Sequence, residues 1–143
     1  MVLRRLAMDD ADNLFGLDSD PEVMRYLTGG IPHTREFIAG KALPHYLSYY
    51  DRLDKFGFWG AIEKSTGDFM GWFHFRSFEE NPEEIELGYR LKKASWTRGF
   101  AVEGSMGVHT LALGVRAIHA HPFVHQNSTG DGHVQAVRAP ALW

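Results

Sequence analysis

The sequence predicts an α/β protein of the α+β kind, with a mixed, mainly antiparallel central sheet and helices on both faces. Three segments in a row, residues 58–63, 69–78 and 84–91, alternate in side-chain polarity and are separated by turn-like clusters, which is typical of strands joined as hairpins. A helical pattern over residues 101–113 and an apolar stretch over residues 115–120 follow, in the order of a parallel crossover. We therefore expect antiparallel hairpins and one parallel strand in the same sheet.

Most of the remaining elements are expected before these strands. Residues 2–6 predict a short first strand, and residues 9–17 predict a helix with one apolar face. An Asp-Pro pair then favours a short helix over residues 22–27. Residues 34–51 predict a longer helix that Pro44 kinks or splits. Three tyrosines at helical spacing in this segment either have a structural role, covering the core or lining the edge of a groove, or form a wall of the substrate site: Tyr46, Tyr49 and Tyr50.

The two longer strands divide their side chains between the faces of the sheet, because successive side chains of a strand point to opposite sides. In the strand over residues 69–78, one face is expected to carry Phe69, Gly71, Phe73 and Phe75, and the other Met70, Trp72, His74 and Arg76. In the strand over residues 84–91, the two sets are Ile85, Leu87, Tyr89 and Leu91, and Glu84, Glu86, Gly88 and Arg90.

Composition narrows the possible function classes. The chain of 143 residues is long enough for one core, so we expect a single domain over residues 1–143. A net charge of −3 without a basic run predicts no nucleic-acid partner. The lack of cysteine excludes disulfides, thiolate zinc sites and cysteine nucleophiles. No apolar run is long enough for a signal peptide or a membrane span, which predicts a cytoplasmic protein with no membrane partner.

The loop between the last alternating strand and the following helix is the strongest candidate for a binding site. It reads Trp96-Thr97-Arg98-Gly99-Phe100-Ala101. A glycine here lets a ligand approach the backbone, and a helix N-terminus offers unpaired N–H groups and positive potential, which together suit a diphosphate. Arg98 adds a cation. The same pattern also fits a simple tight connection, and it is neither a P-loop nor a GxGxxG motif.

Two runs of sequence carry a family resemblance. Glu86-Leu87-Gly88-Tyr89-Arg90-Leu91 and Trp96-Thr97-Arg98-Gly99-Phe100-Ala101-Val102-Glu103 resemble the cofactor motif of the GNAT superfamily of acyl-CoA-dependent N-acetyltransferases, in particular the ribosomal-protein N-acetyltransferase branch. The likeness continues in order over residues 1–120. It implies a GNAT-like fold, acetyl-CoA as cosubstrate, and a primary amine as acceptor, either a protein N-terminus or a small molecule.

The resemblance also implies which residues bind the cofactor. The backbone of Tyr89, Arg90 and Leu91 would pair with the pantetheine arm. Backbone amides of the loop and the helix start would hold the diphosphate, namely those of Thr97, Arg98, Gly99, Phe100, Ala101 and Val102. Trp96 stands where the superfamily usually has Gln or Arg, which leaves most of this binding to the amides.

The implied chemistry needs a group that takes a proton from the acceptor's ammonium before the amine attacks the thioester. Glu86 is the expected catalytic base, with its side chain on the face opposite Tyr89. Glu84 is a weaker alternative. His74 is another, although a lone histidine in a strand is more often structural. Three side chains on one strand face are expected to border the acceptor pocket: Trp72, His74 and Arg76.

The C-terminal residues depart from the family. Residues 124–143 are too short for the helix and two strands with which the family ends, so we expect a fold that lacks these last elements. One hypothesis for the origin of this unusual C-terminal sequence is that it is read out of frame from His125. An incomplete sheet leaves an apolar edge, which predicts a homo-oligomer through that edge. Four histidines in this region match no metal-ligand spacing, so no metal is expected: His119, His121, His125 and His133.

The leading prediction is thus an N-acetyltransferase that transfers an acetyl group from acetyl-CoA to a primary amine. The alternative is a catalytically impaired acetyl-CoA-binding or interaction domain of the same fold. An unrelated α+β binding protein is the third interpretation.

Overall fold

The computed structural model describes residues 1–25, 27–51, 56–77, 84–113 and 137–140. Its sheet has five strands in the order β1-β2-β3-β4-β5, and every pairing between them is antiparallel. The strands are β1 (Val2–Arg5), β2 (Gly57–Ile62), β3 (Phe69–Ser77), β4 (Glu84–Leu91) and β5 (Val137–Pro140). The bounds predicted for the first four strands agree with these to within one residue.

Helices cover both faces of the sheet, as predicted. One face carries a short 3-10 turn (Met8–Asp10) and the helices α1 (Ala11–Asp18), α2 (Pro21–Met24), α3 (Arg35–Phe37) and α4 (Leu43–Ser48). The other face carries α5 (Phe100–Leu113). Each layer has its own apolar cluster against the sheet, with Leu14, Leu17 and Leu43 in the first and Val108 in the second. Within the described residues, no helix is long and apolar enough to cross a membrane.

Residues 34–51 form one helical stretch with a distortion in its middle. The backbone widens into a π-helical turn, Ile38–Ala42, between α3 and α4. The N–H of Leu43 donates to the carbonyl of Ile38, five residues back. Pro44 follows directly, at the start of α4. Because proline has no N–H and its ring crowds the preceding turn, the wide turn accommodates Pro44 without ending the helical path.

A β-bulge in β3 changes the predicted alternation at its first two residues. The register with β2 shifts by one residue between Ala61 and Ile62, so Met70 is the extra residue of β3. Phe69 consequently lies in the apolar cluster under α1–α4, and Met70 lies in the cluster under α5. The predicted faces are therefore wrong for these two residues and correct from Gly71 onwards.

Gly71 is required at this bulge. Its φ is +145°, and a Cβ at this position would lie 2.1 Å from the carbonyl oxygen of Arg90 and 2.8 Å from the Cα of Leu91. Only a residue without a side chain lets β3 and β4 approach this closely.

The C-terminal residues partly cover the sheet edge that was expected to be open. β5 pairs with residues 84–87 of β4, and residues 88–91 extend beyond this pairing. The parallel strand predicted over residues 115–120 lies outside the described residues, as does the rest of the C-terminal region. Half of β4 therefore has partners on both sides, and the other half faces the loop that leads into α5.

Candidate active site

The loop before α5 presents a row of backbone N–H groups. The N–H of Glu103 donates to the carbonyl of Gly99 at 3.1 Å, so Gly99 is the N-cap of α5. The amides of residues 100–102 then lie in the first turn, where N–H groups have no helical acceptor. Thr97 and Gly99 both have positive φ, 58° and 79°, and a Cβ on Gly99 would meet no atom within 4 Å. The described residues therefore leave open space on the Cβ side of Gly99, at the start of this row of amides.

A surface ion pair lies next to these amides. A terminal nitrogen of Arg98 donates to Oε1 of Glu63 at 2.6 Å, and the guanidinium lies 4.7 Å from the ring centre of Phe100. The side chain of Arg98 is 48% exposed. Exposed ion pairs contribute little energy, so Arg98 can exchange its carboxylate partner for another anion.

The second half of β4 directs backbone groups towards the same loop. The N–H of Lys92 donates to the carbonyl of Met70 at 2.7 Å. Because backbone groups of an antiparallel strand alternate in direction, the groups of Leu91 and Tyr89 point away from β3, beyond the end of β5. The indole N–H of Trp96 donates to the carbonyl of Leu91 at 2.8 Å. Trp96 thus ties the loop to the strand, and the N–H and C=O of Tyr89 are directed into the gap between them.

On the other face of the sheet, β3 and β4 carry a partly buried ion pair. Arg76 and Glu86 are cross-strand neighbours, and Nε and one terminal nitrogen of Arg76 each lie 2.7 Å from the same oxygen, Oε2 of Glu86. Nε2 of His74 lies 3.6 Å from that oxygen. Glu86 is 7% exposed and His74 is 3% exposed, so both side chains lie in the interior.

The surroundings of this group determine its ionisation. Burial favours the protonated form of Glu86, but the neighbouring His74 and Arg76 outweigh it and lower the pKa of Glu86 to about 2. Burial lowers the pKa of His74 below its ordinary 6.5, against the opposing effect of Glu86. At neutral pH the group therefore consists of a carboxylate, a guanidinium and an uncharged imidazole. Neither ring nitrogen of His74 has a hydrogen-bond partner among the described residues.

A second ion pair, which is buried, lies on this face and was not predicted. Asp18, the last residue of α1, accepts a hydrogen bond from Arg90 at 2.5 Å, and its other oxygen lies 2.9 Å from Nδ1 of His33. The guanidinium of Arg90 also lies 5.1 Å from the ring centre of Trp72. No local sequence pattern indicates this pair, because Asp18 and Arg90 are 72 residues apart in the chain.

The three tyrosines of the helical stretch cover the core beside these ion pairs. The rings of Tyr46 and Tyr49 lie 4.1 and 5.5 Å from that of Phe58, and Tyr46 also lies 5.7 Å from Trp72. The hydroxyl of Tyr50 accepts a hydrogen bond from the N–H of Leu6, directly after β1, and donates one to the carbonyl of Phe58 in β2. Of the two roles expected for these tyrosines, the structure supports the structural one.

β4 separates the predicted residues into two groups. Glu86 projects towards α1–α4, as predicted, whereas the ring of Tyr89 lies 5.5 Å from that of Phe73 on the α5 side. Residues 97–102 follow Trp96, whose indole N–H binds the carbonyl of Leu91 at the end of β4. The side chain of the alternative base, Glu84, lies outside the described residues. The side chains of Tyr89 and Glu86 thus lie on opposite faces of one strand, and that of Arg90 lies on the same face as Glu86.

Metal-ligating side chains do not gather in the part of the chain that the structure describes: no three of His, Cys, Asp or Glu come close enough there to hold an ion. The four C-terminal histidines considered from the sequence lie outside that part.

Comparison with known proteins identifies the family. A family model described as the acetyltransferase (GNAT) domain matches residues 1–128. The chain belongs to the GNAT acetyltransferase family. This confirms the superfamily expected from the two motif runs, while the ribosomal-protein branch stays a prediction.

Relatives of this GNAT chain include bacterial and fungal proteins. The uncharacterized N-acetyltransferase p20 of Bacillus licheniformis is 29% identical over 107 residues, covering 72% of this chain and 57% of p20. The uncharacterized N-acetyltransferase YoaA of Bacillus subtilis is 27% identical over 105 residues, with the same coverage of 72% and 57%. The FsC-acetyl coenzyme A-N(2)-transacetylase of Aspergillus fumigatus is 30% identical over 96 residues, covering 62% of this chain and 40% of the relative.

The chain therefore spans about half the length of the curated relatives it matches. No solved structure matches it.

Proposed function

We propose that this chain transfers an acetyl group from acetyl-CoA to a primary amine. One arrangement carries the proposal: Trp96 ties the loop before the first-turn amides of residues 100–102 to the end of β4, and the buried carboxylate of Glu86 lies on the face of this strand towards α1–α4. A donor bound along one side of β4 and an acceptor held on the other side would meet at this strand.

The donor side fits acetyl-CoA in charge and in hydrogen bonding. The first-turn amides of α5 and the positive end of its dipole suit the diphosphate, and Arg98 adds a cation beside them. The N–H and C=O of Tyr89 suit an amide of the pantetheine arm. Trp96 does not replace the polar side chain usual in the superfamily, because its indole N–H is bound to the carbonyl of Leu91.

The acceptor side is proposed to use Glu86. A carboxylate in the interior is a counter-ion for the acceptor's ammonium and a candidate for taking its proton. While Arg76 donates to the same carboxylate, the low pKa of Glu86 makes it a weak base. Proton removal therefore requires either that Arg76 moves aside or that a second group near Glu86 takes the proton.

Binding of acetyl-CoA by the loop is tested with a proline at the helix start. Val102→Pro removes one first-turn N–H, while Val102→Ala keeps it, and the side chain is 65% exposed so little packing is lost. Since a hydrogen bond to a charged group contributes about 1.5–3 kcal/mol, we expect the Kd of acetyl-CoA, measured by calorimetry, to rise about 10- to 100-fold in Val102→Pro only. Equal affinities of the two variants would contradict the amide site.

Acetyl transfer itself is tested by release of the CoA thiol in the presence of a panel of primary amines. We expect amine-dependent thiol release by the unmodified chain and loss of most of it in Glu86→Gln. A chain that binds acetyl-CoA but releases no thiol with any amine would refute the proposed activity and leave the binding site intact.

The ion pair between Arg76 and Glu86 favours a second candidate function, an acetyl-CoA-binding or interaction domain without activity. In this case the carboxylate is a structural partner of Arg76 and not a base. The two candidates differ in one measurement, because only the enzyme releases thiol in an amine-dependent manner.

The finer expectations from the sequence also become proposals. We infer that the chain is one domain of a cytoplasmic protein with no nucleic-acid or membrane partner, and that it forms a homo-oligomer through a sheet edge. Sedimentation velocity is expected to show a dimer or larger species, and a monomer at micromolar concentration would contradict this.

A further inference from the structure

His74 is a buried polar group that the proposed function leaves without a role. Its ring packs edge-on to Phe58 at 5.1 Å and stacks on Trp72 at 5.5 Å, and it is 3% exposed. Neither ring nitrogen has a hydrogen-bond partner in the described part of the chain. An unsatisfied buried polar group costs about 1–3 kcal/mol, so an apolar ring at this position would serve the core better. Such a group needs an explanation in function.

The position of the imidazole relative to Glu86 suggests what it binds. The 3.6 Å between Nε2 of His74 and Oε2 of Glu86 is too long for a direct hydrogen bond. A single N–H or O–H donor placed beside both atoms reaches each at ordinary hydrogen-bonding distance. The cross-strand neighbour of His74 is Gly88, so β4 carries no side chain between Glu86 and Arg90 on this face. The position opposite His74 thus carries no side chain that would block a small donor group.

The charges around His74 favour a cationic donor at that point. Its own strand contributes Arg76, which is bound to Glu86, and β4 contributes Glu86 and Arg90, the latter paired with Asp18. The rings packed against it are apolar, Phe58 of β2 and Trp72 of β3, and the ring of Tyr46 in α4 packs on both of these. The carboxylate of Glu86 is thus the anion nearest to the imidazole.

We propose that His74 and Glu86 form an imidazole–carboxylate dyad in which Nε2 of His74 takes the proton of the acceptor's ammonium and Glu86 stabilises the imidazolium. The proposal rests on the proposed acetyl transfer. One N–H bond of the ammonium breaks and an N–H bond forms on His74. The freed nitrogen lone pair forms the bond to the acetyl carbon while the C–S bond of the thioester breaks. The second proton of the amine passes to the departing sulfur, and His74 later releases its proton to solvent.

Two properties of the site agree with this role. The buried imidazole is uncharged at neutral pH, because its pKa lies below 6.5, so it is ready to accept a proton. Glu86 stays ionised throughout, because its pKa is about 2, and an ionised carboxylate next to the ring stabilises the imidazolium that forms. The low pKa that weakens Glu86 as a base thus makes it a better counter-ion.

The test compares two acceptors that differ in whether they carry a proton to remove. A primary alkylamine is protonated at pH 7, whereas an aniline or alkoxyamine is already neutral. General-base catalysis contributes about 10²–10⁴-fold, so we expect His74→Phe to lower kcat/KM about 100-fold or more for the alkylamine and less than about 3-fold for the neutral amine. The Kd of acetyl-CoA should not change. His109→Phe, on the α5 side of the sheet, is the matched control and should leave both reactions unchanged.

The possible outcomes of this comparison distinguish the dyad from a structural role of His74. Equal losses for both acceptors indicate a structural role for His74 and overturn the dyad, as does the absence of any loss. His74→Gln, which keeps a polar side chain without a basic nitrogen, gives the same comparison if His74→Phe does not fold. An unmodified chain that releases no thiol with either amine refutes the proposed acetyl transfer itself, and not only the dyad.

Discussion

Replacing Asp18 with asparagine removes the charge that Arg90 faces inside the protein. The two groups are 2.5 Å apart, and the residues are 2% and 8% exposed, so water does not replace the lost carboxylate. His33, 2.9 Å from the other oxygen, loses the same partner. Removing one member of a buried ion pair costs about 3–5 kcal/mol because the other charge stays buried alone. Since asparagine keeps one oxygen acceptor, we expect about 3 kcal/mol for Asp18→Asn.

Urea unfolding at pH 7, followed by tryptophan fluorescence, measures this loss. With an m value of about 2 kcal/mol/M, a loss of about 3 kcal/mol lowers the unfolding midpoint by about 1.5 M. Asp12→Asn is the matched control, because Asp12 lies on the same helix and forms an ion pair with Arg35 in which the side chains are 75% and 56% exposed. Exposed pairs contribute about 0–1 kcal/mol, so this variant should unfold close to the unmodified protein.

A double variant separates the charge from the packing. In Asp18→Asn with Arg90→Met, no unpaired cation remains in the interior, and the methionine still fills the space beside Trp72. We expect the double variant to be more stable than Asp18→Asn alone. The reasoning is refuted if Asp18→Asn loses no more than Asp12→Asn, or if the double variant loses the sum of the two single changes.

Three further predictions follow from the local structure. The folded protein lowers the pKa of Glu86 from 4.5 to about 2, so the ionised carboxylate stabilises the fold above pH 4.5 and this contribution is lost between pH 4.5 and 2. Acid unfolding, followed by circular dichroism, should therefore be less steep in this range for Glu86→Gln than for the unmodified protein. Identical unfolding curves would contradict this stabilisation. Gly71→Ala should lower the Tm by about 10 °C or prevent folding, since the added Cβ would lie 2.1 Å from a backbone oxygen. A Cβ added at Gly40 would meet no atom within 4 Å, so Gly40→Ala should melt near the unmodified protein. Thr34→Ala should cost about 1 kcal/mol, because the side chain accepts the N–H of Phe37 at 3.2 Å, while Thr34→Ser should not.

The regular parts of the fold could be predicted because they depend on neighbouring residues. Period-two alternation placed β4 at its observed bounds, and the glycine of the loop placed the start of α5 within one residue. The bulge at Met70 could not be predicted, because it depends on how closely Gly71 approaches β4. The π-helical turn before Pro44 could not be predicted either, since a proline in a helical pattern indicates a distortion but not its form.

In the candidate site, too, features that depend on neighbouring residues could be predicted, and contacts between distant elements could not. Alternation placed Glu86 and Tyr89 on opposite faces of β4 without any knowledge of the other strands. The ion pair with Arg76 needed the register between β3 and β4, which alternation alone does not determine. The contact between Asp18 and Arg90 needed the position of α1 over the sheet, which is a property of the whole fold.

The two ion pairs of the candidate site differ in what they hold together. The pair of Asp18 and Arg90 joins α1 to β4, two elements that share no backbone hydrogen bonds, so it fixes how the helices lie over the site. The pair of Arg76 and Glu86 joins two strands whose backbones are already paired, so it is not needed to hold these two elements together. Because buried ion pairs contribute little net stability compared with apolar residues, the carboxylate of Glu86 is better explained by chemistry than by stability. It lies beside the imidazole of His74, which has no hydrogen-bond partner among the described residues.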